Sequence, residues 1–392
     1  MKPVISDAIR YVGVDDDTLD IFESQYILEN GVSYNSYVIL DEKIAIMDTV
    51  DKRCTDEWLA NVEETLGGSK PDYIVVHHME PDHSGSLADA LEKYPDAVVV
   101  ASAKAFTFMD QFLSNTEGLK KLVVKDGDTL SLGSHTLSFI AAPMVHWPEV
   151  MMSYESLEKV VFSADGFGKF GTLKTDEDWA CEARRYYFNI VGKYGASVQA
   201  VLKKINDNDL DIEKILPLHG PILDSDISYY MGLYDVWSRY EPESKGVFIA
   251  CASIHGNTAH AANVLAEKIK ALGEERVVVA DLSREDIAEC VEDAFRHDRM
   301  ILASASYDAG AFMPMEDFLH HLVRKTYQNR TVGLLENGTW APSALKTMKG
   351  YLEEMKNIRI LDETVSIKST YKPADEDAMD ALAKAIFEAG RT

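Results

Sequence analysis

Residues 77–83 read His77-His78-Met79-Glu80-Pro81-Asp82-His83, between the apolar run Tyr73-Ile74-Val75-Val76 and Ser84-Gly85-Ser86-Leu87-Ala88-Asp89-Ala90-Leu91. A short apolar run bounded by turn residues predicts a buried strand, and the segment after it predicts the start of a helix. His78, Glu80, Asp82 and His83 therefore fall within six residues on a strand-to-helix turn. Side chains leave such a turn in different directions, so this one stretch can serve two metal ions. A chain carrying it must fold so that further ligands reach the same place.

Three candidates lie downstream, each closing an apolar run. His146 follows Ala141-Ala142-Pro143-Met144-Val145, Asp165 follows Val160-Val161-Phe162-Ser163-Ala164, and His219 follows Ile215-Leu216-Pro217-Leu218. Any one of them alone reads more simply as a hydrogen-bonded residue at a strand end. As a set they are specific, because ligands at strand ends sit on rigid elements that can converge at one rim of a sandwich.

The surrounding pattern suits that architecture. Ser36–Leu40 and Ile44–Met47 flank Asp41-Glu42-Lys43 as a hairpin, and Thr55 reads as an N-cap before Asp56-Glu57-Trp58. Strands near 98–101, 121–124, 135–141 and 160–163 mix with helices near 104–113 and 177–205, the last interrupted at Gly192 and Gly195. A helix over Tyr229–Tyr240 closes the first half. Elements mixed without strict alternation predict two packed sheets with outer helices. Arg239–Gly246 is polar, with Pro and Gly, and marks a boundary between domains spanning 1–242 and 246–392. Beyond it, runs at 247–250, 276–280, 300–303, 331–335 and 358–361 alternate with helical stretches, the last near 375–389. This predicts a doubly wound, five-stranded parallel sheet.

The second domain carries loops suited to a phosphate-bearing cofactor. Ser253-Ile254-His255-Gly256-Asn257-Thr258 follows its first strand and opens a helix. Hydroxyls, a glycine and free backbone N–H groups at a helix N-terminus form an anion site. Ser304-Ala305-Ser306-Tyr307-Asp308-Ala309-Gly310 and Glu336-Asn337-Gly338-Thr339-Trp340 follow the third and fourth strands, where doubly wound folds bind ligands. Small residues there admit a planar ring, and Tyr307 and Trp340 can border it.

With 392 residues and a net charge of −26, the chain is long enough for two to three domains and is a poor partner for nucleic acid or anionic membranes. No apolar run approaches the roughly 20 residues that span a bilayer, and no signal peptide is evident. Cys54, Cys181, Cys251 and Cys290 are dispersed, with no CxxC pair. They read as reduced thiols of a cytoplasmic protein and provide no rubredoxin-type iron site.

The ligand series resembles that of the metallo-β-lactamase fold, whose zinc hydrolases usually carry HxHxDH. Here Glu80 stands in place of the second histidine. The change gives four histidines and three carboxylates, an oxygen-rich set that suits iron. Glu80 and the second domain together make nearly the whole chain resemble the flavodiiron proteins. That resemblance implies an αββα metallo-β-lactamase-like sandwich followed by a flavodoxin-like sheet. It assigns His78, Glu80 and His146 to one iron, Asp82, His83 and His219 to the other, and Asp165 as the bridge, leaving His77 structural. It also implies FMN in the second domain, bound by residues of Ser253–Thr258, by Ser304, Ala305, Ser306, Tyr307, Asp308 and Gly310, and by Asn337, Gly338, Thr339 and Trp340. His255 stands where flavodoxins often have threonine.

Tyr26, Trp147 and Tyr194 resemble family residues near the iron pocket, where a tyrosine can donate a hydrogen bond to bound gas. Asp48 is expected to orient a ligand histidine. The implied activity is reduction of O2 to water, NO to N2O, or both, with electrons entering through FMN from a separate carrier such as rubredoxin. A head-to-tail homodimer, or a dimer of such dimers, is the implied assembly. Two rival readings are a dinuclear zinc hydrolase with an appended flavodoxin-like domain, and a flavin electron carrier with an inactive metal domain.

Overall fold

In a computed structural model, which describes residues 3–175 and 178–391, the chain divides into two compact units. One runs to Asp235 and the other begins at Val236. The division falls within the helix Ile227–Ser238.

In the first unit, one sheet has the order Ile9–Tyr11, Tyr37–Ile39, Ala45–Met47, Tyr73–Val75, Val98–Ser102, Lys121–Val124. Its first two pairings are antiparallel and the rest parallel. The second sheet runs Thr129–Ser131, Thr136–Ala141, Met151–Glu155, Val160–Phe162, Lys214–Leu216. Tyr37, Met47, Val75 and Val100 from the first sheet share one core with Leu137, Phe139, Met151, Phe162 and Leu216 from the second. The two sheets thus pack face to face as a sandwich. Central strands such as Ala45–Met47 are buried on both faces because helices cover the outside, which is why they read as unbroken apolar runs.

The hairpin across Asp41–Lys43 forms as expected, with Ile39 paired to Ala45. Thr55 differs from its expected role. It is the first residue of the helix Thr55–Leu66 rather than its cap, and its hydroxyl donates to the Lys52 carbonyl at 2.8 Å. The helical stretch expected over 177–205 begins at Glu177, outside the described residues. It is realised as Trp179–Tyr186 and Gly195–Asp207, with a wide turn at Tyr187–Val191 and a tight one at Gly192–Tyr194 between them.

The second unit has the strand order Val277–Asp281, Ser244–Ala252, His297–Tyr307, Thr331–Asn337, Arg359–Ile367, all parallel. In chain order this is 2-1-3-4-5, the flavodoxin-like winding. Gly310–Ala311 adds a short antiparallel pairing at the end of the third strand. The helix Asn257–Ala271 packs Ala261, Leu265 and Ile269 into a core with Val247, Ile249, Ile301 and Leu335. Among the described residues, no helix is long and apolar enough to cross a membrane.

Candidate metal centre and cofactor pocket

The ligand turn is fixed at its root by His77. Its backbone N–H donates to Asp48 Oδ1 at 2.7 Å, its Nδ1 lies 2.5 Å from Asp48 Oδ2, and its Nε2 lies 2.8 Å from Ser153 Oγ. Asp48 follows a strand of the first sheet and Ser153 lies in the second, so His77 pins the turn to both sheets. It is fully buried. This corrects the role expected for Asp48, which holds His77 and not a ligand. The chain then turns into the short helix Pro81–Ser84. Gly85 follows because a Cβ there would stand 2.5 Å from the Pro81 carbonyl and 2.7 Å from the Lys52 nitrogen.

From this turn and three strand ends, potential ligands converge in two groups. His78, Glu80, His146 and Asp165 form one, and Asp82, His83 and His219 the other; within each group the ligand atoms lie within 4.8 Å of one another. Asp165 faces both groups. Its Oδ2 is 3.2 Å from His78 Nε2 and 3.2 Å from His146 Nε2, while its Oδ1 is 3.1 Å from His83 Nε2 and 3.8 Å from His219 Nε2. Glu80 Oε2 lies 2.9 Å from His146 Nε2, and Asp82 Oδ2 lies 3.2 Å from His219 Nε2. The residues on either side of the Asp165 turn, Ala164 (φ 50°) and Phe167 (φ 67°), are left-handed, a strained conformation found at sites that dictate a side chain's direction.

These groups fit resident cations. Both Asp82 carboxylate oxygens, Asp165 Oδ2, His146 Nε2 and His219 Nε2 are buried without a hydrogen-bond partner, which a folded protein rarely tolerates unless something else satisfies them. The electrostatics agree. Burial works against a charged His146, yet Asp165 and Glu80 hold its pKa up to about 9. His78 is also raised against burial, chiefly by the Asp165 charge. Burial likewise opposes the Asp165 charge, but His83 and His78 hold its carboxyl well below the usual range. Clustered donors that favour positive charge so strongly form a cation cage. Its mixture of imidazole and carboxylate suits iron.

Around the cage, Trp147 lies edge-on to His78, with ring centroids 5.2 Å apart, and stacks on Phe112 of the helix Ala103–Phe112. The hydroxyl of Tyr26 donates to the Asn189 carbonyl at 3.0 Å, and its ring lies against Phe170. Tyr194 is half-buried with Lys193 over its ring. Two tyrosines are in ring contact with a candidate ligand: Tyr186 lies 5.6 Å and Tyr34 6.0 Å from His219 between centroids, and Tyr186 is fully buried. Burial first, then the charges of Asp165, Asp82 and Glu80, hold its phenol well above the ordinary value.

Sequence reasoning also missed Glu149, whose Oε1 lies 2.7 Å from His78 Nδ1. A signal for it exists: a carboxylate placed directly before the apolar run Val150-Met151-Met152 is an unusual choice. Glu23, on the Ile21–Ile27 hairpin, was missed as well. Burial and the nearby Glu80 charge raise its pKa to about 7.

In the second unit, the loops at the carboxyl ends of the strands enclose a cavity of about 600 Å³. Ile254, His255, Asn257, Thr258, Ala305, Ser306, Tyr307, Asp308, Asn337, Gly338, Thr339 and Trp340 all line it. Ser253, Gly256, Ser304 and Gly310 do not. Ser304 Oγ instead accepts from the Phe312 N–H, and the Gly310 carbonyl accepts from Ser343. Gly256 (φ 84°) is the left-handed residue that opens the helix Asn257–Ala271, and the Ser253 hydroxyl is buried without a partner. A helix N-terminus beside a cavity of this size fits a phosphate-bearing aromatic cofactor such as FMN. Ser369, from the loop after the fifth strand, completes the wall. Sequence reasoning left it out. Asn337 fixes it by accepting from its N–H at 3.0 Å and donating to its carbonyl at 2.8 Å.

Comparison with known proteins agrees with both halves. The sequence profile of the ODP family beta lactamase matches residues 32–220. The anaerobic nitric oxide reductase flavorubredoxin of Escherichia coli is 27% identical over 391 residues, covering 97% of this chain and 80% of that protein. The structure of rubredoxin oxygen:oxidoreductase from Desulfovibrio gigas superposes with a TM-score of 0.92 at 25% identity, covering 100% of this chain and 99% of that one. The flavodiiron protein from Giardia intestinalis superposes with a TM-score of 0.91 at 26% identity, covering 100% of this chain and 98% of that one.

Proposed function

This chain belongs to the flavodiiron proteins, and on that premise we propose that it is an oxidoreductase that reduces O2 to water, NO to N2O, or both. Its cofactors are FMN and a non-haem diiron centre, which when bound would supply electron transfer from a rubredoxin-type donor and reduction of the gas. The observation that carries this reading is the pair of ligand groups sharing Asp165, with Glu80 where a zinc hydrolase usually has histidine.

Each residue has a definite part in it. His78, Glu80 and His146 would hold one iron, and Asp82, His83 and His219 the other. Asp165, whose two oxygens face the two groups, would be shared between both ions. Trp147 and Phe112 wall the pocket against water. Tyr186, with its proton held tightly, offers a neutral hydrogen-bond donor beside His219. Tyr26 acts through the surrounding wall, by way of Phe170 and Tyr186. In the other unit, the Gly256 turn and the helix N-terminus after it hold the phosphate, while Tyr307 and Trp340 border the ring.

The donor is a separate protein, and two copies pair head to tail, setting the flavin pocket of one against the metal unit of its partner. Exposed apolar residues support such pairing on both units: Ile254, Met313 and Trp340 on one, Ile21, Ile27 and Phe112 on the other. Free thiols at all four cysteines support a cytoplasmic setting.

The test is steady-state consumption of NO and of O2 with reduced rubredoxin as donor, together with iron, zinc and flavin analysis after anaerobic purification. Glu80→Ala should abolish consumption and leave the flavin absorption intact. Two zinc ions and no iron would favour the hydrolase reading. Consumption that survives loss of Glu80 would remove the diiron mechanism.

A further inference from the structure

Each ligand group supplies two histidines, yet what stands behind those histidines differs. His78 Nδ1–H donates to Glu149 Oε1 at 2.7 Å, with both side chains fully buried. His219 Nδ1–H donates to the backbone carbonyl of Ser33 at 2.8 Å. His83 Nδ1 is buried without a hydrogen-bond partner. A carboxylate behind an imidazole draws on its N–H proton and leaves the ring a stronger donor at the opposite nitrogen. A neutral carbonyl does the same weakly, and an unpartnered N–H does not do it at all.

Glu149 is itself held in place. Its Oε1 also accepts from the Met79 N–H at 3.0 Å, and its carbonyl accepts from Ser102 Oγ at 2.9 Å. Its other oxygen is buried without a partner. Glu149 also lines a cavity of about 130 Å³ with Ser102, Lys104 and Lys125.

Resting on the reading of the two groups as an iron pair, we infer that Glu149 is a positioning residue that makes the two metal positions unequal. The ion at His78, Glu80 and His146 is bound more tightly and has the lower reduction potential. The ion at Asp82, His83 and His219 is bound more weakly and is reduced first.

Two measurements on the full-length chain test this. Anaerobic calorimetry of the metal-free protein with Co(II) should show two unequal equivalents. Glu149→Gln should weaken the tighter one by about 10- to 100-fold and leave the weaker one in place. Redox titration of the iron-loaded variant, followed by electron paramagnetic resonance, should raise the lower of the two iron potentials while the upper one stays. Two equivalents that weaken together, or potentials that move together or not at all, overturn the inference. A wild-type protein that binds no metal overturns the functional reading and this inference with it. Should Glu149→Gln fail to fold by circular dichroism, Glu149→Asp keeps the charge but withdraws it from His78. It should give the same selective loss on a smaller scale, and an equal loss at both positions overturns the inference there too.

Discussion

In the first unit, His78, His83, Asp165 and His219 are no more than 1% exposed at the side chain. At the pocket of the second unit, Tyr307 stands 46% exposed and Trp340 90%. The first site is made of charged side chains inside a core, where every donor atom must be the right element in the right place. The second is made of loop backbone and small side chains at an open edge, where shape counts for more than the identity of any one residue. Changes at the metal groups should therefore be severe and specific to metal, and changes at the flavin rim should be graded.

The largest effect is expected from Asp165→Ala. It removes the carboxylate that faces both groups and leaves clustered histidines facing one another, a cost in folding stability of about 3–5 kcal/mol. Elemental analysis should find both irons lost and flavin content unchanged; retention of one iron would break the contrast. Next comes Gly85→Ala, whose Cβ would press on two backbone atoms under the ligand turn. Overpacking there should cost roughly 1–3 kcal/mol, seen as a lower denaturation midpoint of the first unit, with flavin affinity unaffected.

A third effect separates the first unit from its metal site. His135 Nδ1 lies 2.8 Å from Asp41 Oδ2, joining a turn of one sheet to a turn of the other. Burial opposes both charges, yet Asp41, Glu155 and Glu158 raise His135, and the His135 backbone and ring lower Asp41 to about 2. Since His135 is raised, its contribution is complete below pH about 6.5 and fades as pH climbs through its higher folded value. Since Asp41 is lowered, its contribution is complete above pH about 4 and fades as pH falls toward 2. His135→Ala should cost about 1.5 kcal/mol between those limits and less outside them, as thermal melts across pH would record. The smallest effect is expected from Trp340→Ala. Loss of one exposed ring should weaken FMN by about 0.5–1 kcal/mol, a few-fold in a fluorescence titration of the flavin-free protein. A hundredfold loss would show that the rim is as exacting as the metal cage.

The same contrast governs what the sequence revealed. The seven residues that converge in the two groups could be read because histidine and carboxylate at the ends of apolar strands are chemically out of place there. The doubly wound sheet could be read because strands buried on both faces leave unbroken apolar runs. The supporting residues could not, because their partners are distant in sequence. Glu149 is 71 residues from His78, and Ser33 is 186 from His219. Asp48 was expected to orient a ligand histidine but holds His77 instead, since neighbouring His77 and His78 point to opposite sides of a strand end. Among the aromatics, the sequence favoured Tyr26, Trp147 and Tyr194; Trp147 lies against His78, while the tyrosine rings against His219 belong to Tyr186 and Tyr34. Ser369 was missed because its place in the pocket comes from backbone bonds to Asn337.

The bond between His219 and the Ser33 carbonyl has a consequence in time. It joins an early strand to the last ligand, so the metal cage cannot close until residue 219 has been made, yet it can close before the flavin loops exist. Ribosomes extend chains by about 5–20 residues per second, so the stretch from His219 to Ser369 takes roughly 8 to 30 s. During that interval a nascent chain can hold a finished cage with no flavin to feed it, and metal can be taken up while the centre is still unable to turn over.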